Sequence, residues 1–427
     1  MIKSYKALSK AELEQEFEAL KKQYEEYKAK GLKLDMSRGK PAPDQLDLTE
    51  GMLSVMATSK DCFCENGVDC RNYGGLDGIP EAKAMFADIL GVEEKNVIVG
   101  GNSSLNMMFD TVSRAMISGI LYSEKPWCKY DKVKFLCPVP GYDRHFAICE
   151  HFGIEMINIP MTKTGPDMDL VEKYVSEDET VKGIWCVPMY SNPQGITYSD
   201  ETVKRFAALK PKAKDFRIFW DNAYCIHHLN DTPDTLLNIF EECKKCGSED
   251  MVYEFASTSK ISFPGSGVAV IAASDKNIEN IKKTLAFQTI GPDKLNQLRH
   301  VKFFKNADGL RNQALRHKEI IAPKFDIVLK ILDKELTGLD IASWNSANGG
   351  YFLALDTLNG CAKRTLQLLS EAGVVMTPAG STYPYKNDPN DTNIRIAPTY
   401  PSVSELEIGV IMFCLCIKLA ALEKLLK

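Results

Sequence analysis

Seven short apolar runs between residues 96 and 274 constrain the fold of this chain more than any other feature. They read "NVIVGG", "VKFLCPV", "IEMINIP", "VKGIWCVPMY", "FRIFWDNAY", "MVYEFAST" and "GVAVIAAS". Several are separated by segments with helical spacing, such as "SSLNMMFDTVSRAMISGI" and "SDETVKRFAALKP". Short strands alternating with helices bury their apolar faces best in an α/β unit with a largely parallel sheet.

The flanks read differently. Leu13, Phe17, Leu20 and Tyr24 recur at three-to-four spacing, so the first 30 residues form an amphipathic helix that Gly31 ends. After the last apolar run a long helical stretch, about 293–336, leads away from the sheet. Strand candidates "GGYFLALDT" and "NIRIAPT", a helix near 361–372 and a final helix from Ser404 follow. They describe a smaller α+β unit, against which the N-terminal helix packs. The expected division is a large domain over 48–318 and a small one over 1–47 and 319–427.

Composition excludes several classes of protein. A net charge of -5 offers no basic face for nucleic acid. The N-terminus lacks a signal peptide's apolar core, and the longest apolar run, "IGVIMFCLCI" at 408–417, is too short to span a bilayer. Thirteen cysteines, an odd number scattered along the chain, suit reduced thiols in a cytoplasm. Cys62, Cys64 and Cys70, and the pair Cys243/Cys246, lack the companions of a zinc site, so no metal is expected.

In open α/β sheets ligands bind beyond the carboxyl ends of the strands. The polar residues at those ends are therefore the candidate site. Asn102, Ser103 and Ser104 follow "NVIVGG" and precede a helix, a place where free N–H groups attract anions. Tyr142 follows "VKFLCPV", Asn192 ends "VKGIWCVPMYSN", and Asp221 ends "FRIFWD" with Tyr224 three residues on. Lys260 sits among small polar residues in "YEFASTSKISFPGSGVAV". Each has a plainer reading: a Ser-Asn turn caps a helix, NPxG makes a turn, and most lysines are solvated. Together they supply an anion cradle, an aromatic platform, an amide, a carboxylate and an amine. Pyridoxal phosphate requires such a set: a Schiff-base lysine and an acid facing the pyridinium nitrogen.

The order "SNPQG", "DNAY", "STSK", with "SRGKPAPDQLDL", "RNYGGLDGIPEAK", "GGNSSL", "PVPGYDRH" and "NIRIAP" around it, resembles the fold-type I pyridoxal-phosphate enzymes of the class I/II aminotransferase superfamily. It is most similar to the MocR-like branch that includes a subgroup of aspartate aminotransferases. That resemblance implies a mostly parallel seven-stranded sheet in the large domain. It also implies transfer of an amino group between L-aspartate and 2-oxoglutarate by a ping-pong Schiff-base route in a homodimer. On the matching positions, Lys260 carries the cofactor and moves the proton at the substrate Cα, and Asp221 keeps the ring nitrogen protonated. Asn192 and Tyr224 donate to the ring 3′-oxygen, and Tyr142 stacks on the ring. Gly101, Asn102, Ser103, Ser257 and Ser259 surround the phosphate, and Tyr73 reaches the phosphate of the partner subunit. Arg395 grips the α-carboxylate, and Gly39 belongs to the segment covering the site.

Two departures stand out. Many relatives place a phosphate-binding arginine seven or eight residues after the lysine, where this chain has Gly267 and Val268. No arginine occupies the family's place for a distal carboxylate, which here reads "AFQTIGPDK". Arg38, Arg144 and Lys294 are the candidates for that second role. The competing readings are a transaminase for aromatic donors, alanine or 2-aminoadipate, a lyase or decarboxylase on the same fold, and a MocR-type sensing module. The last would want a winged helix, and only some 35 residues precede "DMSRGKP".

Overall fold

The computed structural model describes residues 3–37 and 39–427. Its centre is a sheet of eight strands in the order 97–99, 269–273, 252–257, 217–221, 181–186, 134–139, 155–162, 165–166. The five strands from 252–257 through 155–162 run parallel, while 97–99, 269–273 and 165–166 pair antiparallel at the edges. The sheet thus has one strand more than the seven expected. The extra strand is Gly165–Pro166, folded back on Met161–Thr162, too short and too poor in apolar residues to announce itself.

Side chains alternate across this sheet with the period of two that strands impose. Phe135, Trp185, Phe219, Tyr253 and Phe255 face one way and pack with Met108, Val112 and Ala115 of the helix Ser104–Ile117. Leu136, Ile184, Ile218 and Trp220 face the other way, against Phe86, Phe206, Phe240 and Leu298.

The long helical stretch is two helices, Lys294–Phe304 and Ala307–Leu336. Lys305 has φ +72° at the corner, and Asn306 Oδ1 accepts from Gly309 N at 3.1 Å, which caps the second helix. A Cβ on Gly309 would lie 1.7 Å from Phe304 O, so the corner closes only around glycine. The second helix then crosses between cores. Leu310 and Ala314 belong to the sheet, and Ile321, Phe325, Val328, Leu332 and Leu336 to the smaller unit.

That unit holds an antiparallel sheet of 342–344, 353–357 and 393–396, covered by the helix Val403–Leu425. The N-terminal helix, Lys10–Lys28, begins at a Ser9/Glu12 capping box and packs here through Leu13, Leu20 and Tyr24. Tyr24 donates to Leu368 O at 2.8 Å. Lys28 is its last helical residue, and Gly31, at φ +63°, turns the chain away. Leu34–Asp35 then pairs in parallel with Val374–Val375, a contact between segments too short to signal it. No helix among the described residues is long and apolar enough to cross a membrane. Nor do those residues place three His, Cys, Asp or Glu side chains to hold a metal.

One buried carboxyl in the sheet sets a pH dependence of stability. Glu254 is opposite Trp220 in register, is 4% exposed, and accepts from Asn222 Nδ2 at 2.8 Å. Burial pushes its carboxyl from 4.5 up to about 7. Between those values the native state keeps a proton that the unfolded chain releases, so stability falls as pH rises through this window. Glu254→Gln should therefore stabilise the protein by about 1–3 kcal/mol at pH 8 and change little near pH 4. Denaturant midpoints at the two pH values measure this, and an equal effect at both would place the proton elsewhere.

Candidate active site

Three strand ends converge on one cleft of about 180 Å³. Asp221 closes its strand, Ser257 closes the neighbouring one with Lys260 three residues on, and Ser103 caps the helix Ser104–Ile117 by accepting from Leu105 N at 3.2 Å. Ser104, Tyr142, Asn192, Tyr224 and Ser259 complete the polar lining, and Gly39 and Phe352 also border the cleft. A Cβ on Gly39 would lie 2.4 Å from the Phe352 ring, so only glycine lets this segment pass so close.

The charges in the cleft are unusual. Lys260 Nζ sits 4.9 Å from the centre of the Tyr224 ring and 5.5 Å from that of Tyr351, and no hydrogen bond to it is made among the described residues. Burial holds this amine below the ordinary lysine range, partly offset by the charge of Asp221. Asp221 is 3% exposed. Its Oδ2 lies 3.0 Å from His145 Nε2, while its Oδ1 is buried with no partner. His145 in turn stacks on Trp185 at 4.4 Å, with the rings 10° from parallel. Burial also raises the phenols of Tyr142 and Tyr224, so both are protonated donors. Ser257 donates to Ser259 across 3.0 Å.

Beneath the cleft lies Arg395, 7% exposed. Its Nη1 donates to Asp143 Oδ1 at 2.9 Å and to Asn192 Oδ1 at 3.3 Å, and its Nε is unpartnered. A buried guanidinium with an unused donor, an unpartnered carboxylate oxygen and a buried amine without a hydrogen bond are equipment for binding and reacting with a charged molecule.

Comparison with known proteins agrees. The aspartate aminotransferase family model matches residues 8–427. The chain belongs to that family. An aspartate aminotransferase of Corynebacterium glutamicum is 44% identical over 406 residues, 95% of this chain and 94% of that one. A Mycolicibacterium smegmatis protein carrying an aminotransferase name is 48% identical over 424 residues, 99% of each chain. The crystal structure of an aspartate transaminase from C. glutamicum superposes with a TM-score of 0.96 at 42% identity, covering 99% of both chains. The protein is a pyridoxal-phosphate-dependent aminotransferase.

The side chains of this aminotransferase fit that cofactor on their own terms. The unpartnered Asp221 Oδ1 wants an N–H, which a protonated pyridine ring carries. The Ser103 hydroxyl, at the start of a 14-residue helix, and those of Ser257 and Ser259 beyond a strand end suit a phosphate.

Not every expected residue reaches the cleft. Asn102 turns its Nδ2 to Gly265 O at 3.4 Å and offers its carbonyl to Ser259 Oγ at 3.5 Å, so it braces the cradle from behind. Gly101 is exposed beside it, its carbonyl accepting from Ala269 N at 2.8 Å. Tyr73, expected at the phosphate of the partner subunit and not at this cleft, is 81% exposed. Lys294 does not serve the cleft: the residue is 4% exposed and its ammonium donates to Asn72 O at 2.8 Å and Gly74 O at 2.6 Å. Arg38 lies outside the described residues. Arg144 is exposed, without a hydrogen bond or ion pair among them.

His145, Tyr351 and Phe352 escaped the sequence reading. The signal for His145 was present, since its three-residue spacing from Tyr142 puts both on one side of the helix Asp143–His151. Tyr351 is held by Gln45 Nε2, which donates to its hydroxyl at 2.9 Å from 306 residues away. No local pattern reports that.

Proposed function

We propose that this enzyme transfers the amino group of L-aspartate to 2-oxoglutarate, at the cleft between Asp221 and Lys260. The observation that carries the site is the pair of unsatisfied groups that line it: the unpartnered Asp221 Oδ1 and the buried amine of Lys260. The choice of aspartate is supported by 44% identity over nearly the whole chain to a protein of that name. When bound, pyridoxal phosphate supplies a carbonyl that captures amines and a ring that accepts the electron pair left at Cα.

The residues divide the remaining work. Asp221 Oδ1 accepts the ring N–H and keeps that proton in place, with Oδ2 anchored by His145. Asn192 and Tyr224 would hold the ring by hydrogen bonds from their side chains, and Tyr142 would pack against it. Ser103, Ser257 and Ser259, with backbone N–H groups around Gly101 and Asn102, hold the phosphate. Lys260 Nζ, kept a weak base by burial, takes the proton from Cα and returns it on the other side of the transfer. Arg395 binds the α-carboxylate through its fork, exchanging its contact with Asp143 for the substrate.

The same reading includes a homodimer, a cytoplasmic location and a division into a large domain, 48–318, and a small one made of the rest. Tyr73, Phe287 and Ile290 are 81%, 94% and 65% exposed. Their segments adjoin, because a Cβ on Gly291 would lie 2.4 Å from Gly74 O. An exposed apolar patch of this kind suits a partner subunit, and sedimentation equilibrium measures whether one binds. The passage of helix Ala307–Leu336 from one core to the other between Ala314 and Ile321 supports the domain boundary.

The deciding assay mixes a panel of amino donors with 2-oxoglutarate and follows glutamate. Aspartate should be the best donor; a preference for alanine, an aromatic donor or 2-aminoadipate would overturn the substrate assignment and leave the transaminase. The distal carboxylate of aspartate must meet a cation in a partly desolvated site. With Lys294 committed to backbone carbonyls, Arg144 and Arg38 remain. Neutralising the responsible one should lower kcat/KM for aspartate by about ten- to a thousandfold and leave alanine nearly unchanged. If both can be replaced by glutamine with the aspartate-to-alanine ratio intact, neither arginine reads that carboxylate.

A further inference from the structure

A phosphate dianion held only by hydroxyls and N–H groups leaves its charge uncompensated, and Lys260 is the sole cation lining the described part of the cleft. The loop that follows Lys260 is closed to the arginine that relatives carry there. A Cβ on Gly267 would lie 3.1 Å from Asn102 O and 3.3 Å from Thr258 Oγ1. Val268 is buried in the sheet core, with its N–H bound to Thr258 Oγ1 at 2.9 Å.

We propose that Arg299, on the helix Lys294–Phe304, supplies the positive charge for the cofactor phosphate from behind the loop Gly265–Gly267. The inference rests on reading the Lys260 cleft as the cofactor site. Arg299 Nη2 donates to Ser266 Oγ and to Asn296 Oδ1. Asn296 Nδ2 donates to Gly267 O at 2.8 Å, so the helix grips Ser266 and Gly267 of this short turn. The turn touches the phosphate cradle directly: Asn102 Nδ2 donates to Gly265 O, and Asn102 O accepts from Ser259 Oγ. Arg299 has no carboxylate partner among the described residues, and its Nε is buried without any acceptor. A half-buried guanidinium without a counter-ion is costly unless an anion arrives. The anion that this site takes is a phosphate, whose cradle connects to Arg299 through Ser266, Gly265, Asn102 and Ser259.

The test compares the cofactor with and without its phosphate. Holoenzyme and the Arg299→Gln variant are dialysed, and retention of pyridoxal phosphate is followed by its visible absorbance; the same proteins are then loaded with pyridoxal. Loss of one charge-assisted contact should weaken pyridoxal phosphate by about ten- to a hundredfold in the variant and leave pyridoxal unchanged. Arg299→Lys, which keeps the charge, should recover most of the loss. Arg299→Met keeps the packing stem and replaces the glutamine variant if that one does not fold. Equal retention of pyridoxal phosphate by wild type and variant overturns the role of Arg299, and so does an equal loss of both ligands, which marks a structural residue. A wild-type protein that retains no pyridoxal phosphate would instead sink the cofactor reading itself.

Discussion

Lys260→Ala should purify as a folded protein without transaminase activity. The side chain is buried beside Tyr224 and Tyr351 and donates no hydrogen bond, so its removal breaks no polar contact among the described residues. Deleting a buried, unpaired amine is inexpensive for the fold and relieves desolvation. The chemistry has no substitute: no other amine lines the described cleft, and His145 is bound to Asp221. Turnover should fall by about 10⁴-fold or more, as when an enzyme loses the one group that both attacks and moves the proton. The visible absorbance of covalently held cofactor should vanish with it. Thermal unfolding within a few degrees of wild type would show that the loss is chemical. Residual activity near that of wild type would remove Lys260 from the reaction altogether.

Asp221→Asn should separate binding from chemistry. The amide keeps the shape and can still touch His145, but it removes the negative charge to which we assign the proton on the ring nitrogen. Asp221 Oδ1 has no other partner, so nothing nearby takes over. Charge placed where it stabilises the transition state is worth far more in a dry site than in water. Proton abstraction at Cα should slow by about a hundred- to a thousandfold, while cofactor retention changes much less, because the phosphate cradle is untouched. Single-turnover mixing with aspartate measures the first quantity and dialysis the second. A variant whose half-reaction runs at the wild-type rate would place the acid elsewhere.

Much of this site was legible in the chain because the chemistry of an α/β sheet lies at strand ends. Asp221, Ser257 and Lys260 follow apolar runs whose direction and burial their own composition implies. Asn192 and Tyr142 are found the same way. The element order was legible for a similar reason, since period-two and period-3.6 patterns are local. Misreadings arose where a local pattern was weak or interrupted. The break at Lys305 depends on how Gly309 packs against Phe304 O, and the eighth strand is two residues long.

The chain alone carries most of the element order, the largely parallel sheet and the polar residues that gather at its strand ends. These follow from hydrophobic periodicity and from the rule that polar groups beyond strand ends meet in one crevice. Only the tertiary structure decided the partners. Arg395 meets Asp143 across 252 residues of chain, and Lys294 reaches the carbonyl of Asn72 across 222. Arg299 stands behind Ser266 because one helix happens to lie along that turn. Whether a charge serves a substrate or a backbone carbonyl is settled by distances of about 3 Å. Such distances arise from packing between elements far apart in sequence, and no local pattern encodes them.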